Sequence, residues 1–128
     1  MGNINKFMQE ELMPFYKRVY EAYKQNHHAL YSMIRTFMSG KRTKIGIRVM
    51  DNGSVLGEYT LNLDGPEISH IEENVLNSEV YTPFGVIKPY TIIEKSTLEK
   101  MIQDEPSFIR EPIATKMKYL RDATIKFL

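Results

Sequence analysis

Hydrophobic positions recur at helical spacing from Ile4 to Met38. Ile4, Met8, Leu12, Phe15, Val19, Tyr23, Leu30, Ile34 and Phe37 follow in steps of three and four, with one gap at His27, while Lys6, Glu10, Lys17, Arg18, Glu21, Lys24 and Arg35 take the other side. This 3.6-residue period predicts an amphipathic helical segment over residues 1–40. Pro14 lacks the amide that would bond back one turn, which predicts two pieces with the longer from Pro14 onward. Gly40 reads as the stop, followed by Lys41, Arg42 and Lys44 where cations suit the helix dipole.

From Lys44 the period changes to two. Ile45, Ile47 and Val49 share a face against Lys44 and Arg48; Val55, Tyr59, Leu61 and Leu63 oppose Glu58, Thr60 and Asn62. Between the runs stands Asp51-Asn52-Gly53-Ser54, whose Asn-Gly supplies the positive φ angles of a tight turn. The pattern predicts a hairpin with one apolar face in need of cover. Asp64-Gly65-Pro66 marks another turn, and Glu67 to Val75 a third strand of weaker alternation. Leu76 to Gly85 reads as a loop or short irregular strand. Val86 to Glu94 reads as a fourth strand with Pro89 at an edge or bulge. Ser96-Thr97-Leu98-Glu99 has the form of a capping box, opening a helix through Leu98, Met101 and Ile102 that Pro106 ends, with Pro112 bounding the next segment. In the last stretch Ile113, Met117, Leu120, Thr124 and Phe127 make a helical stripe, and the strand alternative fits less well.

Composition narrows the function classes. The length, 128 residues, suits one domain over 1–128, with residues 41–128 carrying the sheet and C-terminal helices. A net charge of +1 argues against a nucleic-acid partner, and a solvated helix end accounts for the basic cluster Lys41, Arg42, Lys44 and Arg48. No cysteine is present, so disulfides, thiol nucleophiles and thiolate metal sites are excluded. No apolar run reaches the roughly 20 residues that span a bilayer, so no integral membrane association is expected. The cysteine-free composition and the polar N-terminus suggest the cytoplasm.

No catalytic or metal motif emerges. His27 and His28 are adjacent on a helix, about 100° apart, and cannot chelate as an i, i+4 pair; His70 stands alone. The doublets Glu10-Glu11, Glu72-Glu73 and Asp104-Glu105 sit in polar stretches where solvation explains them. There is no Gly-x-Ser-x-Gly elbow and no glycine-rich phosphate loop. Neither an enzymatic role nor a cofactor is expected. Eight methionines, eight tyrosines and six phenylalanines with no tryptophan would let a core adapt to variable apolar ligands, but an ordinary core is the simpler account and the excess is only permissive.

The order helix, Asn-Gly hairpin, third strand, then a strand running into a serine-led helix resembles the sterol carrier protein 2-like family. Thr91-Ile92-Ile93-Glu94-Lys95-Ser96-Thr97-Leu98-Glu99-Lys100-Met101 is similar to that family's strand-to-helix junction. Lys116-Met117-Lys118-Tyr119-Leu120-Arg121-Asp122 is similar to its Lys-apolar-Lys fifth strand, with Thr115 and Arg121 where the family has glycines. The resemblance covers about Leu30 to Leu128. It implies an α+β fold, a largely antiparallel five-stranded sheet covered on one face by helices, with an N-terminal helical extension. It makes Lys116 to Arg121 a strand and Ala123 to Leu128 a short last helix. It further implies an apolar cavity for a fatty acid, acyl chain or sterol-like lipid, lined by Ile92, Leu98, Met101, Ile102, Phe108, Met117 and Leu120. The alternative is an interaction or oligomerisation module with a closed core, a homodimer through the N-terminal helices.

Overall fold

The computed structural model describes residues 2–38 and 42–128. The first helical run is continuous through Pro14. Helix α1 (Gly2–Phe7) passes into a π-helical turn, Met8–Leu12, and then into α2 (Met13–Asn26). The Met13 amide bonds the Met8 carbonyl, five residues back, and Pro14 follows in the first turn of α2. The expected division at Pro14 is thus a widened turn, which accommodates the missing amide without ending the helix. Widening also serves the stripe: Ile4, Met8 and Leu12 lie four apart, a spacing that drifts one way around an α-helix and back the other way around a wider turn, so the two offset. All three are buried, with Phe7 and Phe15. The run breaks at His27 (φ −133°, ψ 52°), and α3 (His28–Met38) follows. The stop expected at Gly40 and the cation Lys41 lie outside the described residues.

Strands β1 (Arg42–Asp51) and β2 (Ser54–Asp64) form the expected hairpin, with Asn52 (φ 50°) and Gly53 (φ 88°) in its turn. A bulge between Val49 and Met50 shifts the register, so Val55 is exposed and Leu56 packs against the core instead. This corrects the placement of Val55 on the apolar face. Strand β3 (Glu67–Glu73) pairs with β2 and has a bulge of its own: Leu63 faces Ile68 while Asn62 faces His70, leaving Ser69 unpaired with its hydroxyl on the Asn62 carbonyl at 3.1 Å. The extra residue puts Ile68 and Ile71, three apart, both in the core, which explains the weak alternation of this strand.

After β3 the chain crosses the sheet. Asn74 turns it with φ 62°, and residues 74–79 run over Thr60 and Gly46, on the side opposite Tyr59 and Leu61 by alternation. The Thr60 hydroxyl donates to the Val75 carbonyl at 2.8 Å and accepts the Asn77 amide at 3.0 Å; the Ser78 hydroxyl accepts the Gly46 amide at 2.6 Å. Glu79 and Lys44 exchange two backbone bonds. Thr60 and Ser78 are fully buried yet satisfied. This strap delivers the chain to the far edge of β1. There a small separate hairpin forms from β4 (Val80–Thr82) and β5 (Gly85–Ile87), and β6 (Pro89–Glu94) then pairs parallel with β1. The expected strand from Val86 to Glu94 is therefore two strands, and Pro89 opens the second, where a missing amide is tolerated.

Glu94, extended at ψ 143°, leads directly into α4 (Lys95–Gln103) with no side-chain cap. The expected capping box is not formed because the helix starts before Ser96, which lies within its first turn; the Glu94 carboxylate accepts the Asn52 amide at 3.2 Å. Helices α5 (Glu105–Arg110) and α6 (Pro112–Leu120) each carry a proline at the start. Between them Tyr119 stacks on Phe108 (5.6 Å) and donates to Asp104 at 2.9 Å. Hydrogen bonds from Ser107 and Tyr119 hold the Asp104 carboxyl below its ordinary value, while burial pushes the Tyr119 phenol up. Strand β7 (Thr124–Phe127) ends the chain antiparallel to β6. Lys116 to Leu120 is thus helical, against the strand that the family resemblance implied, and the fifth sheet position is filled by Thr124–Phe127, where a short helix was expected. The sheet order is β3-β2-β1-β6-β7, mixed rather than wholly antiparallel because β1 and β6 run together.

Candidate functional site

One row of side chains crosses all five strands: Glu73, Tyr59, Ile47, Thr91 and Ile125 are successive cross-strand partners. Cross-strand partners share a face. Glu73 at the β3 edge is exposed, and from Tyr59 onward burial falls along the row. Tyr59 is 0% exposed and its hydroxyl bonds Asn5 of α1; Ile47 and Thr91 are half-buried; Ile125 is 55% exposed. Two residues along on the same face, Pro89 pairs with Phe127, which is 65% exposed. Burial raises the Tyr59 phenol, with Glu73 adding to it. The sheet therefore presents two halves: a sealed one reaching from β3 and β2 to Val49 of β1 and Ile93 of β6, and an open one made by Pro89, Thr91, Ile125 and Phe127, with Ile45 and Ile47, packed against the core, at the border.

The sealed half belongs to a single core. Ile4, Phe7, Met8, Leu12 and Phe15 share it with Val49, Tyr59, Leu61, Ile68, Ile71, Ile93, Leu98, Phe108 and Tyr119. Gln9 donates to the Ile71 carbonyl at 3.1 Å, and Arg18 grips Glu105 of α5 with contacts of 2.8 and 3.1 Å. Tyr31 of α3 donates to Glu67 at 2.6 Å; burial first, then that carboxylate, push its phenol up to about 12.

The residues expected to line a cavity divide among three places. Leu98 and Phe108 are buried in the core, with Met101 and Ile102 packed against it. Ile92 alternates with the core residue Ile93 and so lies on the other face. Met117 and Leu120 form an exposed stripe on α6 with Ile113, opposite the buried Thr115 and Tyr119. Surface clefts among the described residues include one of about 500 Å³ at Lys6, Phe7, Glu10, Glu11 and Lys95 and one of about 290 Å³ at Tyr16, Lys17, Tyr20, Glu21, Glu67 and Ile68; both are rimmed by charge. Ile125 and Phe127 were missed by sequence reasoning. Their signal is the alternation Thr124-Ile125-Lys126-Phe127 after the polar Arg121-Asp122, a run short enough for the helical stripe from Ile113 to absorb it.

The basic cluster is partly spoken for. Arg48 pairs with Glu58 across the hairpin at 2.8 Å and lies 5.2 Å from the Tyr90 ring centre. Among the described residues no helix is long and apolar enough to cross a membrane, and no group of three or more His, Asp or Glu is placed to hold a metal ion. Compared with known proteins, the chain matches no family model, and no curated protein or solved structure is significantly similar to it.

Proposed function

We propose that this chain is a small non-catalytic binding module of the sterol carrier protein 2-like kind, sheltering a fatty acid, acyl chain or similar lipid against the open half of its sheet. The observation that carries the reading is the row Tyr59–Ile47–Thr91–Ile125, an apolar face that continues out of the core into solvent. Helices over one side of the sheet are supported by the burial of Ile4, Met8, Leu12 and Phe15 in one cluster with Val49 and Leu61. A direct passage from β6 into α4 agrees with the family's strand-to-helix junction. An acyl chain laid along Ile47, Thr91, Ile125 and Phe127 gains roughly 0.8 kcal/mol per methylene covered, so six methylenes contribute about 5 kcal/mol before ordering costs. No polar or titratable group beyond the Thr91 hydroxyl is needed there.

The test is palmitate binding followed by native mass spectrometry and by melting temperature. Wild-type protein should carry the fatty acid and melt higher with it, whereas Ile125→Asp and Phe127→Asp should abolish both effects and leave the ligand-free melting temperature unchanged. A clean apo mass with no palmitate-induced shift would sink the reading. A second reading rests on β7 being an edge strand with Ile125 and Phe127 exposed: a second copy could pair along it. Light scattering that shows a dimer, lost in Ile125→Asp, would favour that reading.

A further inference from the structure

The β4–β5 ribbon pairs with itself and lies outside the main sheet. Its register sets Tyr81 against Val86 on one side and Val80 against Ile87 on the other, leaving Pro83 and Phe84 at the tip. Tyr81, Phe84, Val86 and Ile87 are all exposed, Phe84 at 99%. We propose that this ribbon is a membrane-docking finger that places Phe84 and the flanking aliphatic side chains in the interfacial layer of a lipid bilayer.

Three features select a bilayer over a protein groove. The ribbon is apolar on both sides, and a groove would cover one side while leaving the other wet; a lipid interface surrounds it. The polar groups of the tip are already engaged: the Thr82 hydroxyl donates to the Gly85 carbonyl at 2.8 Å and accepts the Phe84 amide at 3.2 Å. Fewer bare backbone groups then have to leave water. Lys88 is exposed at the base, where its stem can lie along the apolar layer and its ammonium reach lipid phosphates, and Tyr81 has the amphipathic ring favoured at such depths. The Leu128 amide donates to the Lys88 carbonyl at 2.9 Å, so the finger's base adjoins the Phe127 end of the open sheet half. Docking there would bring that face close to the lipid surface. The finger stands on its own observations and does not require the carrier reading.

The chain has no tryptophan, so Phe84→Trp installs a single reporter on a ring that packs against nothing. With phosphatidylcholine vesicles, and with vesicles also containing phosphatidylglycerol, its emission should shift blue and be quenched by brominated acyl chains. Val55→Trp, exposed on β2 opposite Met50 at the turn end of the β1–β2 hairpin, should emit as it does in buffer. Phe84→Asp should weaken co-flotation with vesicles about tenfold or more. An unshifted Phe84→Trp reporter in both vesicle types, or equal shifts at the two positions, would overturn the finger. Palmitate retention in vesicle-free buffer should be the same in Phe84→Asp as in wild type; its loss there would overturn the assignment to docking.

Discussion

Tyr59 and Ile125 stand in the same row of the sheet, three strands apart, and meet opposite surroundings. Tyr59 is enclosed by α1 and the core; Ile125 looks into solvent. Around both residues apolar and polar positions alternate, Tyr59-Thr60-Leu61-Asn62 on one strand and Thr124-Ile125-Lys126-Phe127 on the other. What separates them is membership of the core: the N-terminal stripe from Ile4 to Phe15 shares one cluster with residues of β1, β2 and β3 and with Ile93 of β6, and no residue of β7 belongs to it. An apolar face on a strand therefore announces a need for cover, and only the tertiary arrangement says whether the chain itself supplies it.

The largest effect that tests this contrast is a matched pair of truncations. Leu61→Ala, in the sealed half, should cost about 2–5 kcal/mol in urea unfolding, whereas Ile125→Ala should stay within about 0.5 kcal/mol of wild type. Equal losses would mean that the two halves are covered alike. A smaller effect probes the other side of the sheet: a Cβ on Gly46 would stand 2.7 Å from Leu76 Cδ1 and from Ser78 Oγ and 3.1 Å from Tyr90 Cβ. Gly46→Ala should cost roughly 1–3 kcal/mol by lifting the strap. Adding Ser78→Ala should not restore stability, since the buried Gly46 amide then loses its acceptor. A neutral Gly46→Ala would show that the strap is not seated there.

The smallest effect is confined to acid and sharpens the contrast between the packed α5–α6 corner and the bare β7 strand after it. Asp104 is held below its ordinary value of 3.8 by Ser107 and Tyr119, so its contribution is present in full above that value and is lost as pH falls through the lowered folded value. The stabilities of wild type and Asp104→Asn should therefore converge below about pH 4. Parallel curves across that window would remove Asp104 from the account.

Where local chemistry is decisive, the fold could be read from the chain. Asn52-Gly53 permits little but a tight turn, and the Ile4 to Phe15 stripe permits little but a buried helix face. Two bulges hid the rest of the meander, because an extra residue breaks the alternation that makes a strand visible at Val55 and between Ile68 and Ile71. The Ile113 to Phe127 stripe joined a helix and a strand that share no packing role. Within the proposed lining, Leu98, Met101, Ile102 and Phe108 were readable as inward-facing, but Ile92 was not separable from Ile93 without knowing which face carries the strap. The open half itself depends on β1, β6 and β7 meeting across more than seventy residues of sequence, which no local pattern encodes.

The π-helical turn has a consequence for how this sequence can change length. A helix that already carries a surplus residue between Met8 and Leu12 has a built-in site for a one-residue deletion: the backbone could close to ordinary α geometry with its hydrogen bonds intact. Five residues turning by about 80° each cover nearly the same angle as four turning by about 100°, so the register of everything before it would stay close to where it is. Ile4 and Asn5 would keep their places against the core and Tyr59, whereas the same deletion in an ordinary turn of α2 would swing them away and uncouple the first turn of the chain from the sheet.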